Sequence, residues 1–221
     1  MLTLEKQAEV LILGMDDGQN RFGSDAIRSW NELLDKAEAT EGPKALVTTG
    51  TGKFYSNGLD LEYMQSGEVE PAAYVATVLA IMRRVLTFPA ITIAAMNGHA
   101  FGAGAQIALA HDYRIMRRDR GYFCMPEIDL GMPLHPGMTA LIQARLPIQT
   151  AHEVIATGTR HSGEMALDSR IVDRVEDEAN VVSSAVELAA GLASKAAPVM
   201  SRLKAEMYPQ VVEAMASRMT G

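Results

Sequence analysis

The chain contains 221 residues, of which 48% are hydrophobic and 21% are charged. This balance is typical of a globular protein, and it excludes wholesale disorder, a collagen-like repeat and a small disulfide-stabilised scaffold. The formal net charge of −7, from 20 basic and 27 acidic side chains, leaves no strongly basic surface, so we do not expect nucleic-acid binding.

Cysteine content and the chain termini bear on the compartment. Cys124 is the single cysteine, which excludes an internal disulfide and a CxxC metal or redox site. The start of the chain lacks the basic and apolar segments of a signal peptide, and its end does not form an SKL-type signal. Residues 85–110 carry no charge, but Pro89, Asn97 and three glycines would interrupt a spanning helix. We therefore expect a cytoplasmic protein that has no membrane partner.

The first half of the chain alternates short apolar runs with segments of helical periodicity. The apolar runs predict strands, at residues 9–14, 45–48 and 90–95. Apolar residues at helical spacing predict helices, at residues 24–41 with Ser24 or Asp25 as the N-cap, at 71–88 and at 102–110. The segments between them, at residues 16–20, 50–58 and 97–101, are predicted to be turns or loops.

The second half begins with two more short predicted strands, residues 113–116 and 122–125. From Pro136 onward the pattern is helical, with breaks near residues 147, 157–162, 180 and 197. Alternating strands and helices followed by helices predict an α/β core with a helical C-terminal region. Because no linker separates them, we expect residues 1–196 to form the core and residues 197–221 to form a helical extension of the same domain.

Two glycine-bearing loops follow predicted strands, at residues 54–61 and 97–106. Glycine lets a backbone approach a ligand closely, and free N–H groups at a helix start favour negative charge. Neither loop has the GxGxxG or GxxxxGK[ST] pattern of a nucleotide site. Taken alone, such loops are more often ordinary turns than ligand sites.

Glu127 is a carboxylate between apolar neighbours, within the sequence YFCMPEIDLG. Burial among apolar side chains would raise its pKa and suit it to proton transfer near neutral pH. The alternative is an acidic residue at a helix start that faces water.

The remaining polar candidates are weaker. We expect His99 to be a packed loop residue and Asp60 to cap the helix after the first loop. The sequence does not decide whether His135 faces a ligand pocket or solvent. No Ser-His-Asp arrangement or HExxH spacing is present in the sequence, so no metal site is expected.

Together, the two loops and the segments HDYRIM (111–116) and MPEIDLG (125–131) resemble the crotonase, or enoyl-CoA hydratase/isomerase, superfamily. Within it, KFYSNGLDL (53–61) and HDYRIMRRDRG (111–121) are most similar to the Δ3,Δ2-enoyl-CoA isomerases of the plant peroxisomal type. The resemblance implies an α/β spiral of repeated β-β-α units with a helical C-terminal region. It also implies an acyl-CoA thioester substrate, and therefore a place in fatty acid metabolism such as β-oxidation.

The resemblance assigns catalytic roles by position. The backbone N–H groups of Leu59 and Ala103 match the family's oxyanion hole, and Glu127 matches a catalytic acid. The family has two acidic positions: the first, one of the hydratase carboxylates, falls on Gln106, which cannot ionise, and the second falls on Glu127. One base suffices to move a double bond, whereas hydration suits a carboxylate pair. We therefore expect an isomerase that shifts a 3-double bond to trans-2; an enoyl-CoA hydratase and a non-catalytic acyl-CoA-binding protein are the alternatives.

The expected substrate contacts follow from the same alignment of motifs. They are Lys53, Ser56, Asn57, Gly58, Gln106 and His135. Lys53 and Arg21 are also candidate contacts for the CoA phosphates. No cofactor is expected beyond the coenzyme A of the substrate, and the family's assembly implies a homotrimer or hexamer formed through the C-terminal helices.

Overall fold

The computed structural model describes residues 1–217. Its strands are β1 (Leu2–Gln7), β2 (Val10–Met15), β3 (Ala45–Gly50), β4 (Phe54–Ser56), β5 (Ile91–Met96), β6 (His99–Phe101), β7 (Tyr113–Arg117), β8 (Phe123–Cys124) and β9 (Arg174–Glu176). Its α-helices are α1 (Ser24–Ala39), α2 (Leu61–Gln65), α3 (Pro71–Leu86), α4 (Ala103–Ala110), α5 (Glu127–Leu130), α6 (Pro136–Arg145), α7 (Ile148–Thr157), α8 (Gly163–Asp168), α9 (Val181–Leu192), α10 (Pro198–Met207) and α11 (Pro209–Ala216).

The strands form two sheets. A six-stranded sheet has the order β1-β2-β3-β5-β7-β9, and a three-stranded sheet has the order β4-β6-β8. Successive pairs, β3–β4, β5–β6 and β7–β8, place their first strand in the larger sheet and their second in the smaller one, and helices follow each pair. The predicted α/β spiral of repeated β-β-α units is therefore confirmed.

The central strands of the larger sheet are buried on both faces. In β3, Ala45 and Val47 pack toward α9, while Leu46 faces the main core beneath α1 and α3. Strands covered on both sides by helices have continuous apolar sequences, which is why 45–48 and 90–95 were recognisable in the sequence.

Several elements differ from the sequence predictions. The outer strands β1 and β9 were not predicted: β1 is largely exposed and antiparallel to β2, and β9 has only three residues. Both predicted loops contain a short strand, β4 and β6, because pairing between the two creates them. The predicted N-cap of α1 was wrong, because the cap is Gly23, without a side-chain hydrogen bond, and Ser24 is already helical.

The C-terminal helices fold back onto the same chain. Lys204 of α10 donates hydrogen bonds to the Ala90 carbonyl (2.7 Å) and to Asp112 Oδ2 (2.6 Å), and its side chain is buried. Helix α11 packs against α6, where a Cβ on Gly137 would lie 2.8 Å from the Cα atom of Met215. This packing holds α11 beside the helix that follows the Glu127 segment. Residues 218–221 of the predicted C-terminal extension lie outside the described residues.

Candidate active site

The two glycine-bearing loops are pressed together backbone to backbone. A Cβ on Gly58, whose φ is +82°, would lie 2.6 Å from the Phe101 carbonyl oxygen and 2.9 Å from the Ala103 nitrogen. A Cβ on Gly104 would lie 2.2 Å from the Ser56 carbonyl oxygen. Real Cβ atoms do not tolerate such distances, so this contact requires glycine at both positions.

The contact brings two free backbone N–H groups to one cavity. Ala103 is the first residue of α4, and the preceding Gly102 (φ +51°) supplies no side-chain cap. Leu59 precedes Asp60, which caps α2 by accepting a hydrogen bond from the Tyr63 N–H (3.2 Å), as the sequence predicted. Within residues 1–217, neither the Leu59 N–H nor the Ala103 N–H has a hydrogen-bond acceptor. Both residues line the cavity.

The cavity has a volume of about 490 Å³ and mostly apolar walls. The apolar side chains come from α2, α3, α6 and the segment after Glu127; they include Leu61, Met64, Val75, Met132, Leu134 and Met138. Val75 lies in α3, which the apolar spacing of residues 71–88 predicted to be a helix. Its place in the cavity wall depends on which helices pack opposite, and no local sequence signal shows this.

Glu127 lies at the start of α5 and contributes to the cavity wall. Its Oε1 accepts a hydrogen bond from Gln106 Nε2 (3.2 Å) and lies 3.4 Å from where a Cβ on Gly102 would be. Its Oε2 is buried without a hydrogen-bond partner among the described residues. Burial raises the pKa of the Glu127 carboxyl above its ordinary value, as the apolar neighbourhood predicted.

Gln106 lies in α4, three residues after Ala103, and is fully buried. Its Oε1 has no hydrogen-bond partner in the described part of the chain. The side chain therefore lies behind the carboxylate that it contacts rather than in the cavity wall.

His135 lines the cavity and is 4% exposed, which decides the question that the sequence left open. It is the N-cap of α6, and its Nδ1 accepts a hydrogen bond from the Gly137 N–H (3.0 Å). Burial lowers the pKa of its imidazole, so the ring is neutral near pH 7. His99, by contrast, packs between Phe54, Phe101 and Tyr122, as expected for a packed loop residue.

The predicted substrate contacts of the first loop divide into two groups. Asn57 lines the cavity, with its Nδ2 donating to Gln19 Oε1 (2.6 Å), and Gly58 shapes the loop contact through its backbone. Ser56 is buried and donates to the Asn20 carbonyl (2.7 Å), so its hydroxyl is used within the fold. Lys53 extends over the Phe54 ring, with Nζ 5.3 Å from the ring centroid. The structure places neither Ser56 nor Lys53 on the cavity wall.

Arg21 lies on the cavity wall close to two carboxylates. Its Nη1 is 3.6 Å from Asp60 Oδ1 and 3.6 Å from Glu62 Oε1. These acids partly neutralise the guanidinium, but its side chain remains 31% exposed, so an anionic ligand can reach it.

Two further findings concern metals and membranes. Within residues 1–217, no group of three or more His, Cys, Asp or Glu side chains is arranged to hold a metal ion. In the same range, no helix is both long enough and apolar enough to cross a membrane.

Comparison with known protein families identifies the class to which this fold belongs. The sequence profile of the enoyl-CoA hydratase/isomerase family matches residues 5–220, and the chain belongs to this family.

Curated relatives come from more than one branch of the family. The chain is 36% identical over 225 residues to enoyl-CoA delta isomerase 2, peroxisomal, of Arabidopsis thaliana, an alignment that covers 96% of this chain and 93% of the relative. It is 35% identical over 164 residues to a carnitinyl-CoA dehydratase of Salmonella enteritidis, covering 74% of this chain and 62% of the relative.

A solved structure supports the fold independently. A probable enoyl-CoA hydratase of Mycobacterium tuberculosis superimposes with a TM-score of 0.89 at 24% identity, covering 97% of this chain and 91% of that one. At this identity the likeness shows the fold alone.

Proposed function

We propose that the protein is an enoyl-CoA isomerase that moves a 3-double bond of an acyl-CoA thioester to the trans-2 position. Family membership and 36% identity to an enoyl-CoA delta isomerase over nearly the whole chain support this reaction. The observation that carries the proposal is the pairing of the half-buried Glu127 carboxylate with a fully buried neutral amide, Gln106, in place of a second carboxylate.

In the proposed reaction the thioester oxygen accepts hydrogen bonds from the Leu59 and Ala103 N–H groups. The C2–H bond breaks, its proton passes to Glu127, and the electron pair enters a dienolate whose charge is on the thioester oxygen. The Glu127 O–H bond then breaks and a C4–H bond forms, which leaves the double bond between C2 and C3. Losing one preorganised donor to such an oxygen costs about a hundredfold or more in rate.

The cavity and its surroundings suit an acyl-CoA. Its apolar walls would hold the acyl chain, and Arg21 would contact the anionic part of coenzyme A. In a protein of net charge −7, such local donors must bind the phosphates against the overall field. No cofactor beyond the coenzyme A of the substrate is part of the proposal.

Three finer expectations remain proposals. The enzyme would act in fatty acid β-oxidation, in the cytoplasm, and as a homotrimer or hexamer. The Arabidopsis relative is named peroxisomal, so the cytoplasmic location stays a prediction. Light scattering on the purified protein tests the assembly, and a stable monomer would contradict it.

The decisive experiment measures conversion of 3-enoyl-CoA thioesters to the conjugated trans-2 product by ultraviolet absorbance. Wild type is expected to turn over, and Glu127→Gln is expected to lose at least about a hundredfold in kcat, since it removes the proton carrier. Glu32→Gln, which neutralises an exposed carboxylate of α1, is the matched control and should behave as wild type. A Glu127→Gln variant with wild-type kcat would contradict the assignment.

Hydration is the second candidate, and one observation favours it. The buried acceptors Gln106 Oε1 and Glu127 Oε2 both lack a donor, and a water molecule has two hydrogens to give. A rate of water addition to crotonyl-CoA that greatly exceeds isomerisation would favour the hydratase. Tight CoA binding without turnover of any enoyl chain length would instead indicate a non-catalytic binding protein.

A further inference from the structure

The carboxylate of Glu127 is held asymmetrically. One oxygen, Oε1, accepts the 3.2 Å hydrogen bond from Gln106 Nε2, whereas Oε2 has no donor in the described chain. A hydrogen-bond donor stabilises the negative charge on the oxygen that it contacts and lowers the basicity of that oxygen. Gln106 therefore fixes the orientation of the carboxylate and stabilises its charged form.

Gln106 is itself fixed by the helix that carries it. Every residue of α4 is buried, and the Gln106 N–H donates to the Gly102 carbonyl (3.0 Å) in the first turn. The same helix begins at Ala103, whose N–H lines the cavity. One rigid element thus carries both a donor for the substrate oxygen and the amide that orients the carboxylate.

We propose that Gln106 is a positioning residue that holds Glu127 by Oε1 and so fixes the orientation of the carboxylate that carries the proton between C2 and C4 of the acyl group. This inference rests on the proposed isomerase function and goes beyond it, because it names the side chain that orients the base. Gln106 acts through Glu127 and does not itself touch the cavity.

Other charged or titratable groups near Glu127 do not compete for this role. On the cavity wall, Arg21 lies beside Glu62 and Asp60, and His135 is neutral near pH 7 because burial lowers its pKa. From the strand before Glu127, burial raises the pKa of the Cys124 thiol to about 11, which keeps it neutral.

The last nearby group is on Glu127's own helix. Asp129 of α5 lies against Gly158, where a Cβ would be 2.9 Å from Asp129 Oδ2. Its carboxylate is therefore directed toward the end of α7 and not toward Gln106. The acid limb of the pH–rate profile should accordingly report Glu127.

The test replaces the amide and follows both rate and pH. Gln106→Met keeps the side-chain length but removes the donor, so kcat should fall by about tenfold, with KM within about twofold of wild type. Loss of a donor to the charged form raises the pKa of Glu127, so the acid limb of kcat should move to higher pH. Ile107→Val, a buried packing change in the same helix, is the control and should leave the acid limb in place.

A second variant and a second measurement keep the outcome decisive. Gln106→Asn retains an amide but shortens its reach. If Gln106→Met folds poorly, Gln106→Asn should show the same fall in kcat and the same shift of the acid limb. Titration of the Glu127 carboxyl carbon by NMR reads its pKa without any turnover. An unchanged acid limb and an unchanged NMR titration in the folded variant would overturn the positioning role. Absence of isomerisation by wild type would overturn the proposed function, while the NMR titration would still test the Gln106 contact.

Discussion

The α-carbon of Gly104 faces the carbonyl oxygen of Ser56 so closely that a Cβ at residue 104 would lie 2.2 Å from that oxygen. This backbone contact joins the start of α4 to the end of β4. It brings the Leu59 and Ala103 N–H groups to the wall of one cavity. The contact therefore belongs to the proposed catalytic geometry as well as to the packing of the core.

Substituting Gly104 by alanine should damage stability and activity together. The added methyl group must displace the Ser56 backbone, and overpacking of this kind costs about 1–3 kcal/mol. Denaturant unfolding and isomerase kinetics would measure both effects. Gly191→Ala is the control: a Cβ there meets nothing within 4 Å, so this helical substitution should stabilise by about 0.5–1 kcal/mol. A Gly104→Ala variant of wild-type stability and rate would show that the two loops can separate without cost.

Glu127 should give the protein a stability that falls as pH rises. Burial raises the pKa of its carboxyl above 4.5 in the folded state, so the folded protein binds more protons than the unfolded chain between the two pKa values. Stability is therefore highest below that range and declines through it. Glu127→Gln should be more stable than wild type near pH 7 and no more stable at a pH well below 4.5. Urea unfolding at both pH values tests this, and a Gln variant less stable at pH 7 would contradict it.

Isomerase activity should show an acid limb set by the same group. The base must be ionised to take the C2 proton, so kcat should rise with pH through the raised pKa of Glu127. The measurement is a pH–rate profile of kcat on a 3-enoyl-CoA. An acid limb at or below 4.5 would mean that bound substrate does not keep the carboxyl desolvated.

Lys204 should contribute strongly to holding α10 on the core. Its ammonium is buried and bonded to Asp112 and to the Ala90 carbonyl, and removing one partner of such a pair costs about 3–5 kcal/mol. Lys204→Met should lower the free energy of unfolding by roughly this amount. Arg202→Met, which breaks the exposed pair with Glu206 on the same helix, should cost less than about 1 kcal/mol. Equal effects of the two substitutions would show that burial of the Lys204 pair is unimportant.

Acyl-chain preference should depend on the wall formed by α3. Val75 lines the cavity of about 490 Å³, and Val75→Phe would fill part of it. We expect kcat/KM for long acyl chains to fall at least about tenfold, while kcat/KM for short acyl chains stays within about twofold of wild type. The reason is that the phenyl ring removes contacts with the acyl chain that the ground state and the transition state share. The control is Ala76→Leu, an exposed position of the same helix. A chain-length profile that does not change would show that the acyl chain lies elsewhere.

The strands that the sequence predicted well are those in the centre of the larger sheet. Residues 45–48 and 90–95 are apolar because helices cover both faces of β3 and β5. The outer strands β1 and β9 were missed because edge strands carry weak patterns, and pairing with β2 and β7 creates them. In the smaller sheet, β8 was predicted within residues 122–125, whereas β4 and β6 were missed because the pairing between them creates these two short strands.

The sequence by itself determined the acidic balance and the glycines that the two touching loops require. It also determined that one carboxylate and one amide stand at the two positions where the family places acids. Only the tertiary structure decided that Gln106 contacts Glu127, 21 residues away along the chain, and that His135 lines the cavity while Ser56 and Lys53 do not. The physical reason is that residue type and spacing act locally, whereas burial and side-chain direction depend on which elements pack together. The raised pKa of Glu127 depends on both, since the sequence supplies the carboxyl and the fold removes its water.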